Sequence, residues 1–147
     1  MDGVTLTPLK KIHHPKGDIF HAMKNDDIGY SGFGEAYFST INQFDIKGWK
    51  KHTKMTLNLV VPIGEIRIVV CNEMTKAFYS VHISHDNYQR VTIKPGLWVA
   101  FKGLSSKNML LNLANIEHDP IESNNVLLNN FDYNWEIDEH LLADGRL

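Results

Sequence analysis

A chain of 147 residues with 43% hydrophobic and 22% charged residues lies in the ordinary globular range and is long enough to bury a sizeable core. Its formal net charge of −2 gives no electrostatic case for nucleic acid or an anionic membrane as partner. One cysteine, Cys71, excludes an internal disulfide and fits a reducing compartment.

The first residues carry no basic region leading into an apolar stretch. The longest apolar runs, such as 59–63, are far too short to span a bilayer as a helix. A soluble, cytoplasmic protein is the expectation.

In chain order, period-two alternation and short apolar runs predict strands over 4–12, 19–23, 35–42, 45–50 and 55–62, then 65–72, 77–84, 90–94, 97–102 and 108–115. Pro62-Ile63-Gly64 and Lys94-Pro95-Gly96 are turn chemistry, with proline fixing φ and glycine allowing it to be positive. Helical periodicity is missing until 137–143, a turn or two closed by Asp144-Gly145. Many short strands with almost no helix predict a single all-β domain over 1–147, a sandwich, jelly roll or barrel with a short C-terminal helical segment. Such folds leave room for one small ligand at the mouth.

Glu35, Tyr37 and Ser39 share one face of the strand over 35–42, and sequence leaves open whether that face is inward or solvated. The densest polar cluster is Lys47-Gly48-Trp49-Lys50-Lys51-His52. On a regular strand Lys50 and His52 share a face, and Lys47, Trp49 and Lys51 share the other. His52 suits acid–base work near neutral pH, and a neighbouring lysine suits a developing enolate. The plainer alternative is a solvated basic strand end. Tyr37, Phe38, Trp49, Phe78, Tyr79, Trp98 and Phe101 are core residues or stacking surfaces for a base or sugar ring.

Eight histidines raise the question of a metal. His13 and His14 point to opposite faces if extended, and His82 and His85 differ in parity. No bound metal is expected. Glycine-rich phosphate loops and a Gly-x-Ser-x-Gly elbow are absent, and Cys71 ends an apolar strand like a core residue.

Four stretches, in order, resemble one family. These are Lys16-Gly17-Asp18, Ile46 through His52, and Gly64-Glu65-Ile66 with Val69-Val70. The fourth is Ile83-Ser84 with Asn87, followed by Ile93-Lys94-Pro95-Gly96-Leu97-Trp98. The chain is similar to the cupin family of dTDP-4-dehydrorhamnose 3,5-epimerases and the related dTDP-sugar 3,4-ketoisomerases, over about residues 8 to 135.

The resemblance implies a cupin jelly roll, usually a homodimer, working without metal or organic cofactor. It implies a nucleotide-linked 4-keto-6-deoxy sugar as ligand and a place in bacterial surface polysaccharide biosynthesis. In the family a histidine removes a proton next to the keto group, and cations stabilise the enolate. Carried onto this chain, His52 and Lys50 are the candidates for proton transfer. Lys47 and Arg67 are candidates for the phosphates, and Glu35 and Tyr37 for the sugar.

The chain departs from the pattern in several places. Metal-binding cupins resemble one another in a His-x-His pair with a further histidine after a Pro-x-Gly turn. Here Lys50 replaces the first histidine, which is also the family's catalytic one, and His52 falls at the second. The histidine after the Pro-Gly turn aligns near Val99, and the epimerases' late-strand tyrosine near Asn112. The aspartate motif that orients the histidine is not visible, with Asp138 and Glu139 in its area. Lys16 and Lys47 keep positive charge where arginines are expected but lose the bidentate fork.

Three readings follow. The first is an epimerase or ketoisomerase with an altered acid–base pair. The second is a non-catalytic nucleotide-sugar or carbohydrate binding cupin. The third, which nothing in the sequence favours, is a purely structural assembly protein.

Overall fold

The structure is a computed structural model that describes residues 1–136. The predicted helical segment over 137–143, with Asp138 and Glu139, lies outside the described residues. Among the described residues twelve strands form: β1 (Val4–Pro8), β2 (Lys11–Ile12), β3 (Ile19–Phe20), β4 (Glu35–Thr40), β5 (Ile46–His52), β6 (Leu57–Ile63), β7 (Ile66–Asn72), β8 (Ala77–Ile83), β9 (Gln89–Ile93), β10 (Trp98–Gly103), β11 (Met109–Ala114) and β12 (Ser123–Asn125). The predicted strand over 4–12 is broken at Leu9-Lys10, and its second half pairs with β3 as a short hairpin. β12 has no counterpart in the sequence-based expectation, because Ser123-Asn124-Asn125 carries no apolar side chain to mark it.

Two antiparallel five-stranded sheets result, ordered β1-β9-β6-β11-β4 and β12-β5-β10-β7-β8. Their facing sides interdigitate Leu57, Leu59 and Val61 with Ile66, Ile68, Val70 and Ile83. Burying each such side chain contributes roughly 1.5–3 kcal/mol. This is the all-β jelly roll that the sequence predicts.

Each sheet also has a cover on its outer side. Residues 21–30 lie over β9 and β6. Arg90, fully buried, donates to the carbonyls of Ala22 (2.7 Å) and Ile28 (2.8 Å) and to Asp27 Oδ2 (3.1 Å). The second sheet presents Trp49, Val69, Cys71, Trp98 and Ala100 outward, and Val126, Leu128, Phe131, Tyr133 and Trp135 pack onto them. This explains why β7 reads as a nearly unbroken apolar run: both its faces are covered. It also assigns Trp49 and Trp98 to packing rather than to ligand stacking. Burial pushes the Cys71 thiol up, helped by Glu73, so it is a poor nucleophile.

One irregularity positions the site. Val99 pairs with Lys50 and Phe101 with Lys47, so β5 spends three residues where β10 spends two. The extra residue is a β-bulge at Gly48-Trp49. Glycine is required there because a Cβ at position 48 would lie 2.4 Å from Ala100 Cβ and 2.8 Å from its Cα. The bulge re-phases the strand. Lys47, which simple alternation sets opposite Lys50, stands on the same inward face, while Trp49 turns out to the aromatic cover.

Candidate functional site

A cavity of about 320 Å³ opens between the sheets. β5 supplies Lys47, Gly48, Lys50 and His52, and β4 supplies Tyr37, Ser39 and Ile41. Asn112 of β11 and Asn125 of β12 complete the polar wall. Leu57, Leu59, Val99, Phe101 and Leu110 make the rest apolar. The size and mixed lining are those of a small-molecule site.

His52, 8% exposed, is a buried and closely held group in this wall. Its backbone carbonyl accepts from the N–H of Gly96 (2.7 Å), which ties the end of β5 to the Pro95-Gly96 turn. Its Nδ1 is hydrogen-bonded to Glu122 Oε1. Glu122 is buried, and its Oε2 accepts from the backbone N–H groups of Thr53 (3.1 Å), Lys54 (3.1 Å) and Met55 (3.2 Å). Thr53 Oγ1 also donates to the Glu122 carbonyl at 2.7 Å.

Burial acts to raise the Glu122 carboxyl. The bonds from His52 and from the amides of Lys54 and Met55 outweigh it and hold the group below its ordinary value. An ionised carboxylate only accepts hydrogen bonds, so Nδ1 is the nitrogen that carries hydrogen. That leaves Nε2 as the basic nitrogen available to the cavity. A buried carboxylate fixing a histidine's tautomer and orientation is the arrangement used by general-base histidines.

Lys50 pairs in register with Val99 on one side and Asn125 on the other, and its side chain lines the cavity. No hydrogen bond or ion pair holds its amine among the described residues. Its lysine neighbours on β5 are both held. Lys47 Nζ donates to the Thr40 carbonyl (3.2 Å), and Lys51 Nζ lies 3.5 Å from Glu73 Oε2 and 4.9 Å from the centre of the Trp98 ring.

Tyr37 and Asn112 are direct partners across β4 and β11, and Asn112 Nδ2 donates to the Tyr37 hydroxyl at 2.9 Å. Asn112 Oδ1 accepts from the Asn58 N–H (3.1 Å), and Asn58 Oδ1 accepts from Thr92 Oγ1 (2.6 Å). Asn112 thus holds a phenol from the adjacent strand.

The candidates therefore separate. His52, Lys50, Lys47 and Tyr37 converge on the cavity. Glu35 does not line it, and its Oε1 accepts from the His118 N–H at 3.1 Å. Arg67 lies on the outer side of the second sheet, opposite His82 and Lys102 in register, with Nη1 donating to Ser80 Oγ (3.0 Å). Its neighbours Ile66 and Ile68 point into the core instead. Sequence reasoning missed Glu122, Asn125 and Ser39 as parts of one site. Among the described residues, no three His, Cys, Asp or Glu side chains come together as a metal site.

No protein-family model and no curated protein sequence matches the chain. Solved structures do. A dTDP sugar isomerase from Desulfovibrio desulfuricans is 27% identical, with a TM-score of 0.86 and 92% of each chain covered. A sugar 3,4-ketoisomerase from Thermoanaerobacterium thermosaccharolyticum, solved with TDP, is 20% identical, with a TM-score of 0.74 and 95% of each chain covered. A 3'-monoepimerase from Streptomyces bikiniensis, solved with dTDP, is 13% identical, with a TM-score of 0.82 over 99% of this chain and 88% of that one. The resemblance carried by the four sequence stretches is thereby borne out: in fold, this chain stands among the dTDP-sugar isomerases and dTDP-4-dehydrorhamnose 3,5-epimerases and shares their cupin jelly roll.

Proposed function

We propose that the protein is an isomerase of a nucleotide-linked 4-keto-6-deoxy sugar, acting as epimerase or ketoisomerase by proton abstraction next to the keto group. The observation that carries this is the buried Glu122–His52 pair presented to a cavity beside Lys50. It supports a base aimed at a carbon acid, with a cation beside the developing oxyanion. Sugar-nucleotide neighbours supply the substrate class. One ketoisomerase variant was solved with TDP-4-keto-6-deoxyglucose, and a 3,5-epimerase from Legionella pneumophila with dTDP-4-keto-L-rhamnose.

In this reading His52 Nε2 takes the proton from the carbon beside the ketone. Lys50 serves the proton on the carbonyl oxygen. Tyr37 and Ser39 contact the sugar, and Lys47 meets the diphosphate at the rim. The working unit is a homodimer, and the product feeds bacterial surface polysaccharide.

A second reading, a nucleotide-sugar binding cupin without catalysis, is favoured by Lys50 standing where the family's catalytic histidine is expected. Proton NMR of TDP-4-keto-6-deoxyglucose with the protein in heavy water separates the two. Loss of the C3 or C5 proton signal above the protein-free rate supports the isomerase and names the carbon. Saturable binding without exchange supports the binding module, and neither binding nor exchange removes both.

A further inference from the structure

We propose that Lys50 acts on the keto carbon covalently, so that the proton is removed from a protonated imine rather than from a free ketone. This deepens the reading above and rests on its premise that a keto sugar occupies the cavity.

Three features of the site converge on it. First, Lys50 is a primary amine lining the cavity, and no carboxylate or other described group binds its Nζ. Lys47 and Lys51 on the same strand are engaged with Thr40 and Glu73. The buried carboxylate nearby, Glu122, is committed to His52 and three backbone N–H groups.

Second, much of the wall is apolar: Leu57, Leu59, Val99, Phe101 and Leu110. Lys50 itself is exposed at this wall, and a carbonyl substrate seated against the apolar side chains would cover its amine and exclude water from an imine.

Third, Lys50 and His52 are two residues apart on one inward strand face, roughly 6.6 Å along the strand. A lysine bonded to one sugar carbon and a histidine reaching the hydrogen on the next need such an offset. Of the two lysines that line the cavity, Lys47 is held by the Thr40 carbonyl, which leaves Lys50 to stabilise an enolate. An iminium carries its own positive charge at the carbon that must withdraw electrons.

The steps balance without an oxidant or cofactor. The Nζ lone pair forms the N–C bond as the C=O π pair moves to oxygen. Counting from the ammonium form, two of the three nitrogen protons end on that oxygen, which leaves as water, and the third stays on the protonated imine. His52 Nε2 then takes the adjacent C–H proton. The C–H pair becomes the C=C bond of an enamine, and the C=N π pair returns to nitrogen. Reprotonation of carbon and addition of water reverse the sequence and release the lysine.

The test is reductive trapping of the intact protein. It is incubated with TDP-4-keto-6-deoxyglucose and sodium cyanoborohydride, which reduces imines in preference to ketones, and its mass is measured. Exchange in heavy water and calorimetric binding of the same sugar are run in parallel.

The expected result is one adduct per chain, mapped to Lys50. It is absent in Lys50→Arg, which keeps the charge but forms no such imine, and retained in Lys51→Ala. Circular dichroism establishes that both variants are folded. Exchange with no adduct, exchange undiminished in Lys50→Arg, or an adduct on a different lysine overturns the proposal and leaves the isomerase reading standing. Absence of binding, exchange and adduct together overturns both.

Discussion

Glu122 and His52 are 70 residues apart in sequence, yet they share a buried hydrogen bond at the inner end of β5. Three consecutive backbone N–H groups, of Thr53, Lys54 and Met55, hold the carboxylate from the other side. The histidine is thus oriented by a group that has no freedom to move away. Glu122→Gln keeps an acceptor for those amides but removes the anion that fixes the tautomer. The expected outcome is a folded protein whose proton exchange falls by a factor on the order of 10⁴ or somewhat less, with substrate binding nearly unchanged. Exchange rates in heavy water, together with calorimetric binding, check this.

The same carboxylate gives a signed pH dependence. Its folded value is held below the ordinary 4.5. A depressed carboxylate contributes stability that is fully present above its unfolded value and is lost as pH falls through the folded one. The stability advantage of the native protein over Glu122→Gln should therefore shrink as pH falls through the ordinary carboxylate range and below it. Calorimetric melting of both proteins across this range measures the difference. An advantage that grows as pH falls through the carboxylate range contradicts the assignment.

Gly48→Ala tests the bulge. The added methyl meets Ala100 at contact distances that no relaxed pair of strands accommodates. A loss of about 1–3 kcal/mol is expected, read as a lowered urea midpoint. Ligand affinity should fall as well, because Lys47 owes its inward position to the same residue.

Lys47 and Arg67 are both candidates for phosphate by sequence, and the structure separates them by face. Lys47→Ala should weaken nucleotide-sugar binding roughly tenfold and flatten its salt dependence. Arg67→Ala, on the outer side of the sheet, should leave affinity unchanged. Titrations at low and high salt distinguish the two.

Most of the fold is legible in the sequence, because eleven of the twelve described strands overlap segments marked by alternation or by apolar runs bounded with proline and glycine. β12 does not, since its three polar residues earn their place only through backbone pairing with His52, Lys51 and Lys50. At the site, the shared face of Lys50 and His52 follows from strand alternation, whereas the sequence leaves open which face of β4 is inward. Lys47 is mis-phased because period-two counting has no way to register an inserted residue. A glycine inside a strand pattern is the available signal for a bulge. Glu122 follows Asp119-Pro120-Ile121 in a polar connection, and nothing local ties it to a histidine so far upstream. Tertiary pairing alone brings them together.

Trp49 has its own consequence. It is fully buried, its Nε1 donates to the Leu128 carbonyl (3.2 Å), and it meets Phe131 edge-on with ring centres 5.4 Å apart. Trp49→Ala should cost about 3–5 kcal/mol. In whatever fraction remains folded, exchange should fall too, because the chain that covers Trp49 continues directly from β12 and Glu122. Thermal melting and exchange on the soluble fraction check the two effects.

That continuity sets an order of events during synthesis. A nascent chain that has emerged only as far as Ala114 already contains β1 to β11, and with them His52, Lys50 and every strand of the first sheet. It lacks the carboxylate that aims the histidine and the aromatic cover that seals the second sheet. His52 therefore gains its carboxylate partner only when residues beyond β11 return across the barrel and dock. On the proposed function, a chain that ends before Glu122 leaves His52 without the carboxylate that fixes its tautomer.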